Sequence, residues 1–229
     1  MASSDRDVGD DDKSPFRCLP AARFAAACLM TVLVLVVLVK AITVVHRDET
    51  LSLSLVKGAI FATRIRTPAQ QQQQLLLDFN LRARNPSNFA RMYYYNVTAY
   101  LFDTSAPAAS SNPERDSFIY FSINSLELQQ GQSADAITQV NGTRQSMYNS
   151  SFDMLYSSSQ TAEGIMSDVT MRLDGLLTFE VASGHNRTSR RTYYCWPLVV
   201  GPDLSNVKEF LGLNLKDVFC REVQGRHFI

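Results

Sequence analysis

The sequence predicts an all-β protein, an antiparallel β-sandwich preceded by one transmembrane helix. Three observations carry that reading. Phe24 to Val45 is an apolar run with a single charge, Lys40. Later segments alternate apolar and polar residues with a period of two, the mark of half-buried strands. Polar, turn-rich stretches separate them, as the joints of an antiparallel sandwich require.

The apolar run comes first. Its 22 residues would span roughly 33 Å as a helix, close to the ~30 Å hydrocarbon core of a bilayer. A cleaved signal peptide is the alternative, but its apolar core is only about 7–15 residues and ends in a small-residue cleavage site. Here Lys40-Ala41-Ile42-Thr43-Val44-Val45 continues the apolar character. Lys40 lies near the end, where its ammonium can snorkel to the headgroups. Residues 21–45 therefore read as a retained signal-anchor.

Orientation follows from the basic residues. Arg6, Lys13, Arg17 and Arg23 precede the run, whereas Arg47 and Lys57 are the basic residues that closely follow it. This places residues 1–20 in the cytosol, as a polar tail with too little apolar content to fold, and residues 46–229 outside it. All four Asn-X-Ser/Thr sequons, at Asn96, Asn141, Asn149 and Asn186, lie after the run, where they would become glycans. Cys195 and Cys220 share that oxidising side, so a disulfide is expected, with two free buried thiols as the alternative. Cys18 and Cys28 lie at the cytosolic edge and within the run, where palmitoylation competes with inert burial.

The outer segment holds 184 residues, enough for one domain. Its 17 basic and 17 acidic residues balance, which gives no basic face for nucleic acid. Leu75 to Arg84 would present Leu75, Leu77, Phe79, Leu81 and Ala83 on one face, and Asn85-Pro86-Ser87-Asn88 would end it as a turn. Tyr93 to Phe102 repeats the pattern, with Tyr93, Tyr95, Val97, Ala99 and Leu101 inward and Tyr94 exposed. Asn96 then faces solvent. Val169 to Val181 is a third strand, with Gly175 marking a bulge. Weaker strands are Leu51–Lys57, Ser117–Asn124, Ala134–Val140 and Tyr193–Val200. Thr104–Asp116, Asn141–Ser151 and Ser183–Arg191 read as connectors, Gln70–Gln74 as a solvated loop, and Asp203–Leu213 as a short helix.

Chemistry is sparse. His46, His185 and His227 have no neighbours at metal-ligand spacing, and neither a nucleophile elbow nor a phosphate-cradling loop appears. No cofactor is expected, and no enzyme. A carboxylate pair needs no local spacing, so an anchored carbohydrate-active enzyme stays as the least favoured alternative.

The order of the pieces is more specific than any one of them. A short tail, an anchor and Leu51-Ser52-Leu53-Ser54-Leu55 are followed by Leu77-Asp78-Phe79-Asn80-Leu81-Arg82-Ala83-Arg84, then Asn85-Pro86-Ser87, then Tyr93-Tyr94-Tyr95. This resembles the plant harpin-induced-like and non-race-specific-disease-resistance-like membrane proteins, whose ectodomain is a late embryogenesis abundant group-2 domain. Asn85-Pro86-Ser87 matches the family's Asn-Pro-Asn motif with Ser in third place. Leu173-Asp174-Gly175 and Tyr193-Tyr194-Cys195 are similar to its C-terminal strands, and Cys220 to a second cysteine common in it. The middle segment, Thr104 to Tyr156, is long for the family, so the chain reads as a divergent member. The resemblance implies an immunoglobulin- or fibronectin-III-like sandwich at the plasma membrane and a part in defence or stress responses. The expected role is to present a glycosylated domain to protein or cell-wall partners. A membrane-proximal lipid-binding module is the runner-up and would need a continuous apolar groove.

Overall fold

The computed structural model describes residues 18–45, 50–65, 73–106, 108–157, 164–181, 184, 186–202 and 215–223. The chain forms two units, residues 1–48 and 49–229.

The first unit is helix α1, Cys18–Val45, 28 residues and so roughly 42 Å long. Its stretch Ala22–Ala41 has a mean hydropathy of 2.6, long and apolar enough to cross a membrane. Phe24, Leu29, Leu35 and Val37 are exposed along it. The Thr31 hydroxyl donates to the carbonyls of Ala27 and Cys28 at 3.1 and 2.8 Å, so the one hydroxyl mid-helix is satisfied internally.

The second unit is the antiparallel β-sandwich. Its strands are β1 (Ser52–Leu55), β2 (Ala59–Ile65), β3 (Gln74–Arg84), β4 (Ala90–Phe102), β5 (Ile119–Ile123), β6 (Leu126–Leu128), β7 (Ser133–Thr143), β8 (Met166–Val181), β9 (Asn186–Gly201) and β10 (Val218–Glu222). Two helices, α2 (Pro113–Asp116) and α3 (Asn149–Ser157), lie in the connections. One hydrogen-bonded path, β10-β1-β3-β2-β9-β8-β4-β5, takes in β7 beside β3 and β6 beside β4. The sheet folds over on itself, so that Phe79 of β3 meets Phe121 of β5 at 5.8 Å between ring centroids. Every pairing is antiparallel except β2 with the end of β9, Ala59–Phe61 against Val199–Gly201.

β3 has the inward row its alternation implies, with Leu75, Leu77, Phe79, Leu81 and Ala83 all buried. The first expected strand is shorter than the pattern suggests. After Leu55 the backbone makes a tight turn at Val56–Gly58, with Lys57 at φ 62° and Gly58 at φ 55°. A side chain at Gly58 would sit 2.6 Å from Val218 Cγ2, so close approach of the Lys216–Val218 segment requires glycine there. The chain then resumes as β2, still beside β3.

The tyrosine triplet reverses its expected faces. Tyr94 is fully buried, whereas Tyr93 and Tyr95 are half-buried on the outer side. The cause is a bulge: Tyr95 pairs with Leu176 and Thr98 with Asp174, leaving Asn96 and Val97 opposite Gly175 alone. Asn96 takes φ 52°, and the extra residue shifts the phase of the strand. Met92 and Tyr94 point inward before the bulge, and Val97, Ala99 and Leu101 after it. The irregularity expected at Gly175 thus lies on the strand facing it. Gly175 itself makes room, since a Cβ there would be 2.7 Å from the Tyr94 ring. In that notch the Tyr94 hydroxyl donates to the Leu173 carbonyl at 3.1 Å.

Other boundaries also move. Asn141–Thr143 extends β7, and Asn186–Arg191 begins β9, where polar connectors were expected. The α3 segment is helical and seals part of the core with Phe152 and Leu155. Its Tyr156 stacks on Phe152 at 5.4 Å and lies under the Arg64 guanidinium at 4.7 Å. Strands β2, β6 and β10 had no counterpart among the seven expected. The helix expected at Asp203–Leu213, residues 70–72 of the glutamine run, and all three histidines lie outside the described residues.

Candidate functional site

The most distinctive surface of the β-domain sits where β9 and β10 run side by side. Cys195 and Cys220 pair directly in the ladder and are joined by a disulfide, closing a sequence separation of 25 residues. Cys195 is fully buried, so this crosslink is on the core side of the sheet. Strand side chains alternate, which turns the flanking residues outward. Trp196 follows Cys195 and Phe219 precedes Cys220, so each is one residue from the Cys195–Cys220 pair, at the end of the β9–β10 ladder. They are 59% and 70% exposed, the two most open aromatic side chains of this domain among the described residues.

An aromatic and cationic row runs beside them across five strands. Tyr120 pairs with Tyr100, Tyr100 with Arg172, Arg172 with Tyr194, and Tyr194 with Arg221. The two outer tyrosines, Tyr100 and Tyr120, lie 6.1 Å apart. Arg172 sits between rings, 6.0 Å from Tyr100 and 5.9 Å from Tyr194. Its guanidinium is held in place by Asp174, at 3.0 and 2.9 Å, and by the Ser110 carbonyl at 2.8 Å. Burial works against the charge of Arg172, but the Asp174 carboxylate outweighs it and holds its pKa above the usual arginine value. Arg172 is thus a fixed cation that stiffens the row, while Arg221, at its open end, is exposed.

The four sequon asparagines, Asn96, Asn141, Asn149 and Asn186, are all exposed but are not brought together. Asn96 is at the β4 bulge, two strands from β9; Asn141 is on β7; Asn149 opens α3. Asn186 begins β9, ten residues and roughly 33 Å along the strand from Trp196. None of the four sequon asparagines pairs with Trp196 or Phe219 in the ladders.

Asn85-Pro86-Ser87 is a structural hub. Asn85 is fully buried, and its amide donates to the carbonyls of Ala90, Leu128 and Gln129 at 2.8, 3.3 and 2.9 Å. Its side-chain oxygen accepts from the Ser87 N–H at 2.9 Å, and its own N–H reaches Gln132. Ser87, also buried, accepts from the N–H groups of Phe89 and Ala90. One asparagine thereby ties the β3–β4 turn to the segment joining β6 and β7. Pro86 alone of the three is exposed.

A second surface feature is a groove of about 680 Å³ on the outer face of β4, β6, β8 and β9, lined by Tyr93, Tyr95, Glu127, Thr178, Glu180 and Thr188 among others. The Tyr93 hydroxyl donates to Glu180 at 2.8 Å, and this bond, with burial and the nearby carboxylates, raises its pKa. Two acids therefore line one groove, but Glu180 is already engaged by a tyrosine of the wall. The core is packed with apolar side chains and rings, such as Tyr94 and Tyr193, edge to face at 5.7 Å. No group of three or more metal-ligating side chains occurs among the described residues.

Sequence reasoning found Cys195 and Cys220 but missed the surface they support. Phe219 lies in Val218-Phe219-Cys220, where apolar residues occupy both faces and no period of two emerges. Trp196 falls within the expected strand Tyr193–Val200, where its pattern gives no sign that it faces outward.

No family model and no curated protein matches this chain. Two chains of solved structure match it. One, described as a protein from Archaeoglobus fulgidus, is 8% identical, with a TM-score of 0.25 over 59% of this chain and 92% of that one, a likeness too slight to bear on fold or function.

Proposed function

We propose that this chain is a non-enzymatic, single-pass protein of the plant plasma membrane, acting in defence or stress responses, whose glycosylated β-sandwich docks an extracellular protein through Trp196 and Phe219. The exposure of those two rings, neither paired with a sequon asparagine in the ladders, carries the reading. Large aromatics flanked by arginine are the side chains that dominate protein-binding energetics, and here Arg221 flanks them. The disulfide behind the pair preorganises both strands, which lowers the entropy cost of binding. Helix α1 and the disulfide fit a domain held by one anchor on an oxidising side. The basic residues before the anchor support a cytosolic N-terminus, and the family resemblance supports the plasma membrane and the defence role.

The test uses the full chain at the surface of plant cells, with a photo-crosslinking residue placed at Arg221. A discrete protein adduct is expected, lost in the Trp196→Ala, Phe219→Ala double variant and retained in Tyr120→Ala. Adducts that survive the double variant would refute the docking surface. Retention on wall polysaccharide, with no protein adduct, would move the partner class to carbohydrate. Glycosidase sensitivity and protease protection of each terminus check the topology separately.

A further inference from the structure

We propose that the N-glycan on Asn186 folds back into the groove on the outer face of β4, β6, β8 and β9, where its first sugars stack on Tyr93 and Tyr95. The inference rests on the lumenal placement of this domain. Glycan transfer joins Asn186 Nδ2 to the anomeric carbon of a lipid-diphosphate-linked oligosaccharide, with loss of the lipid diphosphate and an amide proton. What the structure bears on is where the sugar then lies.

Asn186 and Thr188, the first and third residues of this sequon, both line the groove. Their alternation along β9 puts both on the same outer face as Tyr93 and Tyr95. Asn186 pairs directly with Glu180, and Thr188 with Thr178, which pairs in turn with Tyr93. An N-linked sugar therefore leaves the backbone one strand from the nearest acid and two strands from the rings. The volume of about 680 Å³ falls within the ~300–1,000 Å³ typical of ligand sites, ample for the first sugars of a glycan.

The chemistry of the walls suits a carbohydrate. A pyranose presents an apolar C–H face and a rim of hydroxyls. The half-buried phenol rings of Tyr93 and Tyr95 supply apolar area for the first. Glu127 and Glu180 supply carboxylate acceptors for the second, and acceptance by an ionised group is the stronger kind of hydrogen bond. Tyr93 is fixed by its bond to Glu180, and the Thr178 and Thr188 hydroxyls, 2.7 Å apart, fix the floor. A free ligand would have to compete with a sugar tethered to the lining itself, at high effective concentration. That tether identifies the occupant.

The test is site-resolved. Full-length protein from a eukaryotic secretory host is treated, folded, with a peptide-N-glycosidase, and glycopeptides are followed by mass spectrometry over time. Release at Asn186 is expected to be roughly 2- to 10-fold slower than at the other occupied sequons, the protection that ring stacking supplies. Tyr95→Ala should abolish the difference, and Tyr95→Phe should keep it. Should Tyr95→Ala fail to fold, the wild-type comparison among sites decides alone. Equal release at Asn186 and its fellow sequons would overturn the proposal, as would an empty Asn186 beside occupied sites. Four empty sequons would overturn the lumenal placement along with it.

Discussion

Two aromatic pairs share strand β9 and face opposite ways. Tyr193 points inward to Tyr94, where ring meets ring at 5.7 Å and both side chains are enclosed. Three residues further, Trp196 and, on β10, Phe219 point outward, and both remain open. The inner pair is shaped by what surrounds it: the notch at Gly175, the carbonyl of Leu173 and the walls of the sandwich. The outer pair is shaped only from behind, by a disulfide that fixes its two strands. Aromatic area of similar size thus serves stability in one place and is left unspent in the other. Rigid rings kept in water, where burying them would be favourable, are what the proposed docking role would use.

The contrast predicts a graded set of effects, all read as unfolding free energy of the detergent-solubilised chain in denaturant. Tyr94→Ala should be the most damaging, at about 3–5 kcal/mol, as for other large buried aromatics. Gly175→Ala should cost about 1–3 kcal/mol in the wild type by overpacking, yet almost nothing once Tyr94 is already alanine. Additive costs would show that Gly175 serves some purpose other than seating that ring.

Replacing Cys195 and Cys220 with serine should cost about 3–4 kcal/mol from the closed loop of 25 residues. The same change should weaken partner binding while leaving Trp196 and Phe219 in place. Undiminished binding would show that the outer pair needs no support from the core side.

Alkaline pH separates the pairs next. Burial raises the phenol pKa of both Tyr94 and Tyr193, and their neighbouring acids add to the effect. The folded state keeps protons that the unfolded chain gives up near pH 10, so stability is fully present below pH 10 and declines above it. Each tyrosine contributes a loss of up to about 1.4 kcal/mol per pH unit. Unfolding midpoints between pH 9 and 11.5 check this, and a flat profile to pH 11 would contradict the enclosure of the inner pair.

The smallest change should come from the outer pair itself. Trp196→Ala with Phe219→Ala should shift stability by no more than about 0.5 kcal/mol, as surface substitutions do. A loss above about 2 kcal/mol would mean that these rings hold the fold together.

Local patterning made part of this legible. Alternation along Leu75–Arg84 sufficed for β3 because a straight strand with one buried face obeys a period of two throughout. It failed at Tyr93-Tyr94-Tyr95 because one inserted residue, Asn96, changes the phase, and nothing within the triplet records an insertion beyond its end. Gly175 did mark the right level of the sheet, on the opposite strand. Strand β10 escaped notice because its five residues owe their conformation to β1 and β9, distant in sequence. The cysteines were visible as a pair, but the aromatic surface above them follows from register, which only the folded chain displays.

The neighbour of β10 on its other side is β1, with Phe219 opposite Ser54. β1 is also the first strand after the helix in the chain. Tension from a partner gripping Phe219 would therefore cross one ladder into β1 and run down the backbone to the anchor. Most of the sandwich lies off that line of force. β1 and β10 are joined by a short antiparallel ladder at Ser54–Leu55, while the Cys195–Cys220 link ties β10 to β9. Under the proposed docking, the contact at Phe219 and the chain's link to the helix would occupy adjoining strands, β10 and β1.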